Sequence, residues 1–144
     1  MVTDRKEEDP VKVQQPLEGQ VSQVLSMMGR NLGEEPRPMA LLSRFCPQAV
    51  LEQARDRGST FSKPHIPERY KHLICVAVTS AVSSHLCTET FVKLAHRNGV
   101  TPEEIAEAIV LARFALGSTV FASAVEAMEF LSRASAGDEA PQGP

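Results

Sequence analysis

Cys87 is the residue of this chain best suited to chemistry. It closes the tetrad Ser84-His85-Leu86-Cys87, which follows one apolar segment and opens another. A thiol three residues into a helix lies beside backbone N–H groups that have no partner in the helix and at the positive end of its dipole. Both favour thiolate over thiol. That sulfur can act as a nucleophile on a peroxide and pass through a sulfenic acid. It can equally be a helix-end thiol packed on Phe91 and Leu94, which lie four and seven residues further along the same face. Ser84 suits an N-cap whose hydroxyl accepts from the Cys87 N–H. His72 is the best proton-transfer candidate, because imidazole titrates near neutrality, and its plainer reading is a half-exposed histidine at a helix entrance. Cys75 lies three residues after His72 and can share its face. A zinc site built from His72, Cys75, His85 and Cys87 is disfavoured, since the spacing matches no established short pattern, and no metal or cofactor is expected. His85 is expected to point to solvent, and His96 suits the dipole at the end of its helix.

The elements that must position these residues follow from periodicity and punctuation. Leu17, Val21, Val24, Leu25, Met28 and Leu32 recur at helical spacing, with Gly33 as the stop. Two short helices joined at Pro47 are expected next, 39–46 and then 49–57, ending at Gly58. Pro67 suits the first turn of a helix over 70–83, apolar on nearly every side and therefore expected in the middle of the fold. The run Val76-Ala-Val-Thr79 has some strand character, and length decides for helix. A further helix runs from Ser84 to Asn98, capped by Gly99. Thr101-Pro102-Glu103-Glu104 is a capping box with proline at the first helical position. The last helix is expected to extend about 30 residues, with Ile105, Ile109, Ala112, Leu116, Val120, Ala127 and Phe130 on one side and Gly117-Ser118 as its weak point. Its small residues, among them Ala112, Ala115, Gly117 and Ser118, permit close approach of the buried helix or of another subunit. An all-α bundle results.

Composition narrows the function classes. The chain has 144 residues and a formal net charge of −3, with Lys and Arg scattered among acids, so nucleic acid is not an expected partner. Three cysteines at irregular spacing do not describe a secreted disulfide framework. No apolar run is judged to approach the roughly 18 to 20 residues of a bilayer span, and the polar N-terminus does not suit a signal peptide. A cytoplasmic protein with no membrane partner is expected. Residues 1–16 and 134–144 are expected to be flexible tails, flanking a single helical domain over 17–133.

Three segments carry a resemblance: His72-Leu-Ile-Cys-Val-Ala-Val-Thr-Ser-Ala-Val82, Cys87-Thr-Glu-Thr-Phe-Val-Lys93, and Asn98-Gly-Val-Thr-Pro-Glu-Glu-Ile-Ala-Glu-Ala-Ile109. Over residues 66–131 the chain resembles the carboxymuconolactone decarboxylase and alkylhydroperoxidase D-like family. The resemblance implies an all-helical subunit in a homo-oligomer (dimer, trimer or hexamer) whose neighbouring subunits complete the core. In the peroxidase branch the second cysteine of a Cys-x-x-Cys attacks a hydroperoxide, the first closes a disulfide, and a Glu and a His relay protons. By position Cys87 is the attacking residue, Ser84 stands at the resolving cysteine, His72 at the Glu and Phe91 at the His. Serine cannot form a disulfide, so turnover would need Cys75, Cys46, a neighbouring subunit or an external thiol. The decarboxylase branch carries Trp and His around this junction, and no match for that segment is present.

Three functions therefore compete. The first is a thiol-dependent peroxidase using Cys87. The second is a catalytically inactive oligomeric protein that binds a small molecule or partner in the old pocket. The third is a lactone decarboxylase, with Arg69, Lys71 or Arg113 holding the substrate carboxylate.

Overall fold

The computed structural model describes residues 16–137, and all of its regular elements are helices. Of the tails expected at 1–16 and 134–144, residues 1–15 and 138–144 lie outside the described residues, whereas 134–137 are helical and not a flexible tail. Packing gathers the chain into two compact units, one ending at Ser62 and the other beginning at Lys63.

The first unit contains α1 (Leu17–Leu32), α2 (Arg37–Leu42) and α3 (Pro47–Phe61). Helix α1 ends where the periodicity places its stop: Gly33 is left-handed, with φ 83°, and its N–H donates to Gly29 O at 2.8 Å. Val21 of α1 buries against Val50 and Leu51 of α3, with Val24, Leu25 and Met39 around them. Pro47 opens α3 at a position where its missing N–H costs nothing. Helix α3 runs through Gly58 to Phe61 instead of stopping there. With an ordinary helical backbone at that glycine, nothing compels a turn.

The second unit contains α4 (Glu68–Ala81), α5 (His85–Arg97), α6 (Pro102–Ser123) and α7 (Val125–Gly137). Val76 of α4, Ala95 of α5, Val100 of the α5–α6 turn and Ile105 of α6 form its core, flanked by Leu73, Phe91 and Val92. Pro67 is the N-cap of α4, one position earlier than a first-turn residue. The run Val76–Thr79 is helical.

Helix α4 departs from the expectation of burial all round. His72 and Val76 are buried, but Tyr70, Ile74, Val78 and Val82, spaced by four, are exposed. Two neighbouring helices of one chain cover one side of a cylinder, and the other side is left apolar and open.

The α5–α6 turn is closed as the sequence indicates. Gly99 has φ 82°, its N–H donates to His96 O at 3.1 Å, and Val100 N–H donates to Ala95 O at 3.1 Å. This paired closure is a Schellman motif, and Val100 supplies its apolar contact. Thr101 Oγ1 accepts from Glu104 N–H at 3.3 Å, and Glu104 Oε2 accepts from Thr101 N–H at 2.9 Å. Glu104 also accepts from Arg69 of α4, whose Nε lies 3.0 Å from Oε1, so one carboxylate caps α6 and ties it to α4.

The expected 30-residue final helix is two helices. The chain breaks at Ala124, where φ −93° and ψ 1° leave the helical region and the N–H turns to Phe121 O at 3.2 Å. Gly117-Ser118 stays helical. Of the apolar stripe expected to pack, only Ile105 is buried. Ile109, Leu116, Val120 and Phe130 are exposed, because the buried side of α6 is the one carrying Ile105 and Ala108. Helix α6 also meets the length and composition of a bilayer span, with mean hydropathy 1.6 over an 18-residue window of which 6% is buried. The expectation that no apolar run approaches such a length does not hold for it.

Candidate functional site

The tetrad Ser84-His85-Leu86-Cys87 sits where α4 gives way to α5. The chain leaves α4 through a second Schellman turn: Ser83 N–H donates to Ser80 O at 3.1 Å, and Ser84 N–H to Thr79 O at 3.0 Å. Its left-handed residue is Ser83, with φ 58°, the one non-glycine residue with positive φ among those described. Ser84 is the N-cap of α5, and its carbonyl accepts from Thr88 N–H at 2.8 Å.

The Ser84 side chain does not cap. Its hydroxyl makes no bond to the first turn, contrary to the expected bond from the Cys87 N–H. Backbone geometry explains this: Ser84 has ψ 85°, whereas Thr101, whose hydroxyl does cap, has ψ 155°, in the extended range that swings an N-cap oxygen over the N3 amide. The donors of the first turn of α5 are therefore left to whatever approaches the sulfur.

Cys87 is exposed. At about 3.6 residues per turn it lies in line with Phe91 and Leu94, the first packed against the core cluster and the second buried. The packed face of α5 thus ends in an exposed cysteine. His85 is exposed, as expected, and His96 lies in the last turn beside Arg97.

His72 is completely buried, not half-exposed at a helix entrance. The entrance lies one turn earlier, and Glu68 stands there: its Oε1 is 3.6 Å from His72 Nε2, while its own side chain is largely exposed. A charged imidazole would be held by that carboxylate, which joins the buried ring to solvent. Cys75 is half-buried further along α4, and its carbonyl accepts from Thr79 Oγ1 at 2.8 Å. Cys46, the N-cap of α3, is exposed in the first unit. Among the described residues no three of His, Cys, Asp and Glu gather where they could hold a metal ion, so His72, Cys75, His85 and Cys87 do not form a common ligand set.

Two of the three cations considered for a substrate carboxylate are engaged elsewhere. Arg69 is bound to Glu104, and Lys71 Nζ donates to Lys63 O at 2.5 Å. Arg113 is exposed on α6. Sequence reasoning missed Glu68 and the Arg69–Glu104 tie. The i, i+4 spacing of Glu68 and His72 could have indicated the first. The second spans 35 residues and leaves no local signal.

Fold and site together define an all-helical protein with a solvent-open thiol at a helix start. The chain belongs to the carboxymuconolactone decarboxylase family, whose model matches residues 45–130, and that family includes alkylhydroperoxidase-like and decarboxylase members. A search of curated proteins finds no match.

Proposed function

We propose that this protein is a thiol-dependent peroxidase-type oxidoreductase with Cys87 as the attacking thiol. The observation carrying the reading is the exposed sulfur in the first turn of α5, beside amide donors that Ser84 leaves uncapped. Family membership supports it.

The thiolate attacks the terminal oxygen of a hydroperoxide. The S–O bond forms as the O–O bond breaks, and the departing alkoxide takes up a proton to leave as the alcohol. Cys87 is then a sulfenic acid. A small external thiol attacks that sulfur, releasing water and forming a mixed disulfide, and a second thiol restores Cys87 and departs as the oxidised disulfide. The external thiol is needed because Ser84 cannot resolve the sulfenic acid. In this scheme His72 and Glu68 provide the acid–base pair, and Cys75 is the protein's own alternative for resolving the sulfenic acid, as a Cys75–Cys87 disulfide that external thiol then reduces.

Peroxide consumption with an added dithiol is expected to fall by about a hundredfold or more in Cys87→Ser and to persist in Cys46→Ser. Mass spectrometry after peroxide titration is expected to find oxidation at Cys87 before Cys46 or Cys75. Oxidation spread evenly over the three, with no turnover, ends the proposal.

One observation favours the inactive, ligand-binding reading. Phe91, where the resemblance places a histidine, packs against the core of the second unit. On that reading the wild type consumes no peroxide and Cys87→Ser changes only stability or binding. The decarboxylase reading is supported by nothing beyond the family and Arg113.

A further inference from the structure

His72 is the one fully buried polar residue among those described, and its imidazole has no solvent exposure at all. It lies in the second turn of α4, one turn before Val76 of the core cluster. As a neutral ring it can rest among apolar neighbours. As an imidazolium it would be a cation removed from water, and burial then works directly against the charge. Glu68 offsets only part of that cost. Its Oε1 is 3.6 Å from His72 Nε2, but its side chain is 66% exposed, so the attraction is that of a screened surface pair, too weak to keep a charged ring inside. Its position matters more, since Glu68 stands on the water side of the ring and marks the way out.

Helices α5 and α6 pack against α4. Their buried residues, Leu94, Ala95, Ile105 and Ala108, are all apolar. Among the charged groups that face α4 from these two helices or border it, Lys93 is bound to Glu89 at 2.7 Å and Glu104 to Arg69. His96, Arg97, Glu103 and Glu107 are exposed. On α4 itself Arg69 and Lys71 are engaged, with Glu104 and with Lys63 O, Tyr70 is exposed and Cys75 is half-buried. Glu68 is thus the carboxylate placed to receive a charged His72.

The segment that must yield for the ring to reach water is weakly fastened. Pro67 gives the start of α4 no side-chain cap, and residues 62–67 before it are exposed. The ties of the first turn include Tyr70 N–H and Lys71 N–H to Pro67 O, at 3.0 and 3.3 Å, and the exposed Arg69–Glu104 pair. Glu104 is held below the usual carboxylate range, by Arg69 first, so this pair stays charged while imidazoles titrate and does not itself respond there.

We infer that the first two turns of α4 form an acid-released latch: as His72 takes up a proton its ring leaves the interior toward Glu68 and water, the turns open, and Arg69 parts from Glu104. The closed form binds fewer protons than the open form, so acid favours opening. The inference stands whether or not Cys87 reacts with peroxide.

Hydrogen exchange of the full chain, followed by mass spectrometry and corrected for the intrinsic rate at each pH, tests it. If the open form has the ordinary imidazole value of about 6.5 and the closed form takes no proton, protection falls about tenfold between about pH 7.5 and about pH 5.5. That fall is expected in peptides covering residues 69–75, with those covering α5 unchanged. It is expected to vanish in His72→Leu, or in His72→Gln should the leucine variant fail to fold. In wild type alone, NMR is expected to show the His72 ring titrating below about 6.5. Unchanged protection over 69–75 overturns the inference, as does a ring titrating at or above that value. So does an equal fall across α5 and α6, which would mean that the ring is charged only on global unfolding, or the same fall in a His72 variant.

Discussion

The second unit turns twice with the same main-chain device and puts it to different ends. Both the α4–α5 and the α5–α6 turns carry a left-handed residue and the same pair of Schellman bonds. After Gly99 the side chains finish the work: Val100 enters the core, Thr101 and Glu104 cap each other, and Arg69 binds Glu104 from α4. After Ser83 they do not. The left-handed position lacks glycine, Ser84 forms no cap, and the sulfur of Cys87 stands in solvent. One turn holds the fold together, and the other leaves its amide donors uncapped and its thiol exposed. Turns of equal backbone geometry can therefore be told apart by which side chains complete them.

If that division is right, damage to the second turn lowers stability and leaves the reactivity of Cys87 intact. The largest effect is expected from Val100→Ala, which removes two methyls from a site only 1% exposed and should cost about 2 kcal/mol in urea unfolding. Thr101→Ala removes one half of the capping box, and about 1 kcal/mol is expected to be lost.

Acid probes the other half of that box. Glu104 is held below the usual carboxylate range, first by the hydrogen bond from Arg69 and then by that from the Thr101 N–H. A depressed folded value means the contribution is complete above the unfolded carboxylate range and is lost as pH falls through the folded value. Wild type should therefore lose stability on acidification over that window, and Glu104→Gln should remove this part of the pH dependence.

The smallest effect is expected at the first turn. Ser83→Gly relieves a left-handed serine but gives the unfolded chain more freedom, for a net gain of about 0.5 kcal/mol. A loss of stability there, or a change in Cys87 alkylation rate on Val100→Ala, would mean that the two turns are not separable in this way.

What was legible in the sequence was local. Gly33, Gly99 and the Thr101–Glu104 box mark their helix ends because each acts within a few residues, and the structure places them accordingly. The helical reading of 76–79 rested on length and holds. Exposure was not legible: the same apolar residues can face a core or stand open, and Tyr70, Ile74, Val78 and Phe114 stand open in the single chain. The break at Ala124 carries no glycine or proline to announce it, whereas Gly117, which looked like a weak point, is accommodated in the helix. At the site, Cys87 was found through helix-end physics and the family pattern, while the failure of Ser84 to cap depends on a ψ angle that residue type does not dictate.

The bend before α5 is shaped by main-chain bonds, and so the identity of residue 84 is decoupled from the architecture around it. A second sulfur can be installed there by one substitution without disturbing how the helix starts. In the proposed chemistry, whether the sulfenic acid is resolved within the chain or by a soluble thiol is then a single-residue trait, one that a lineage can acquire or shed while the scaffold stays as it is.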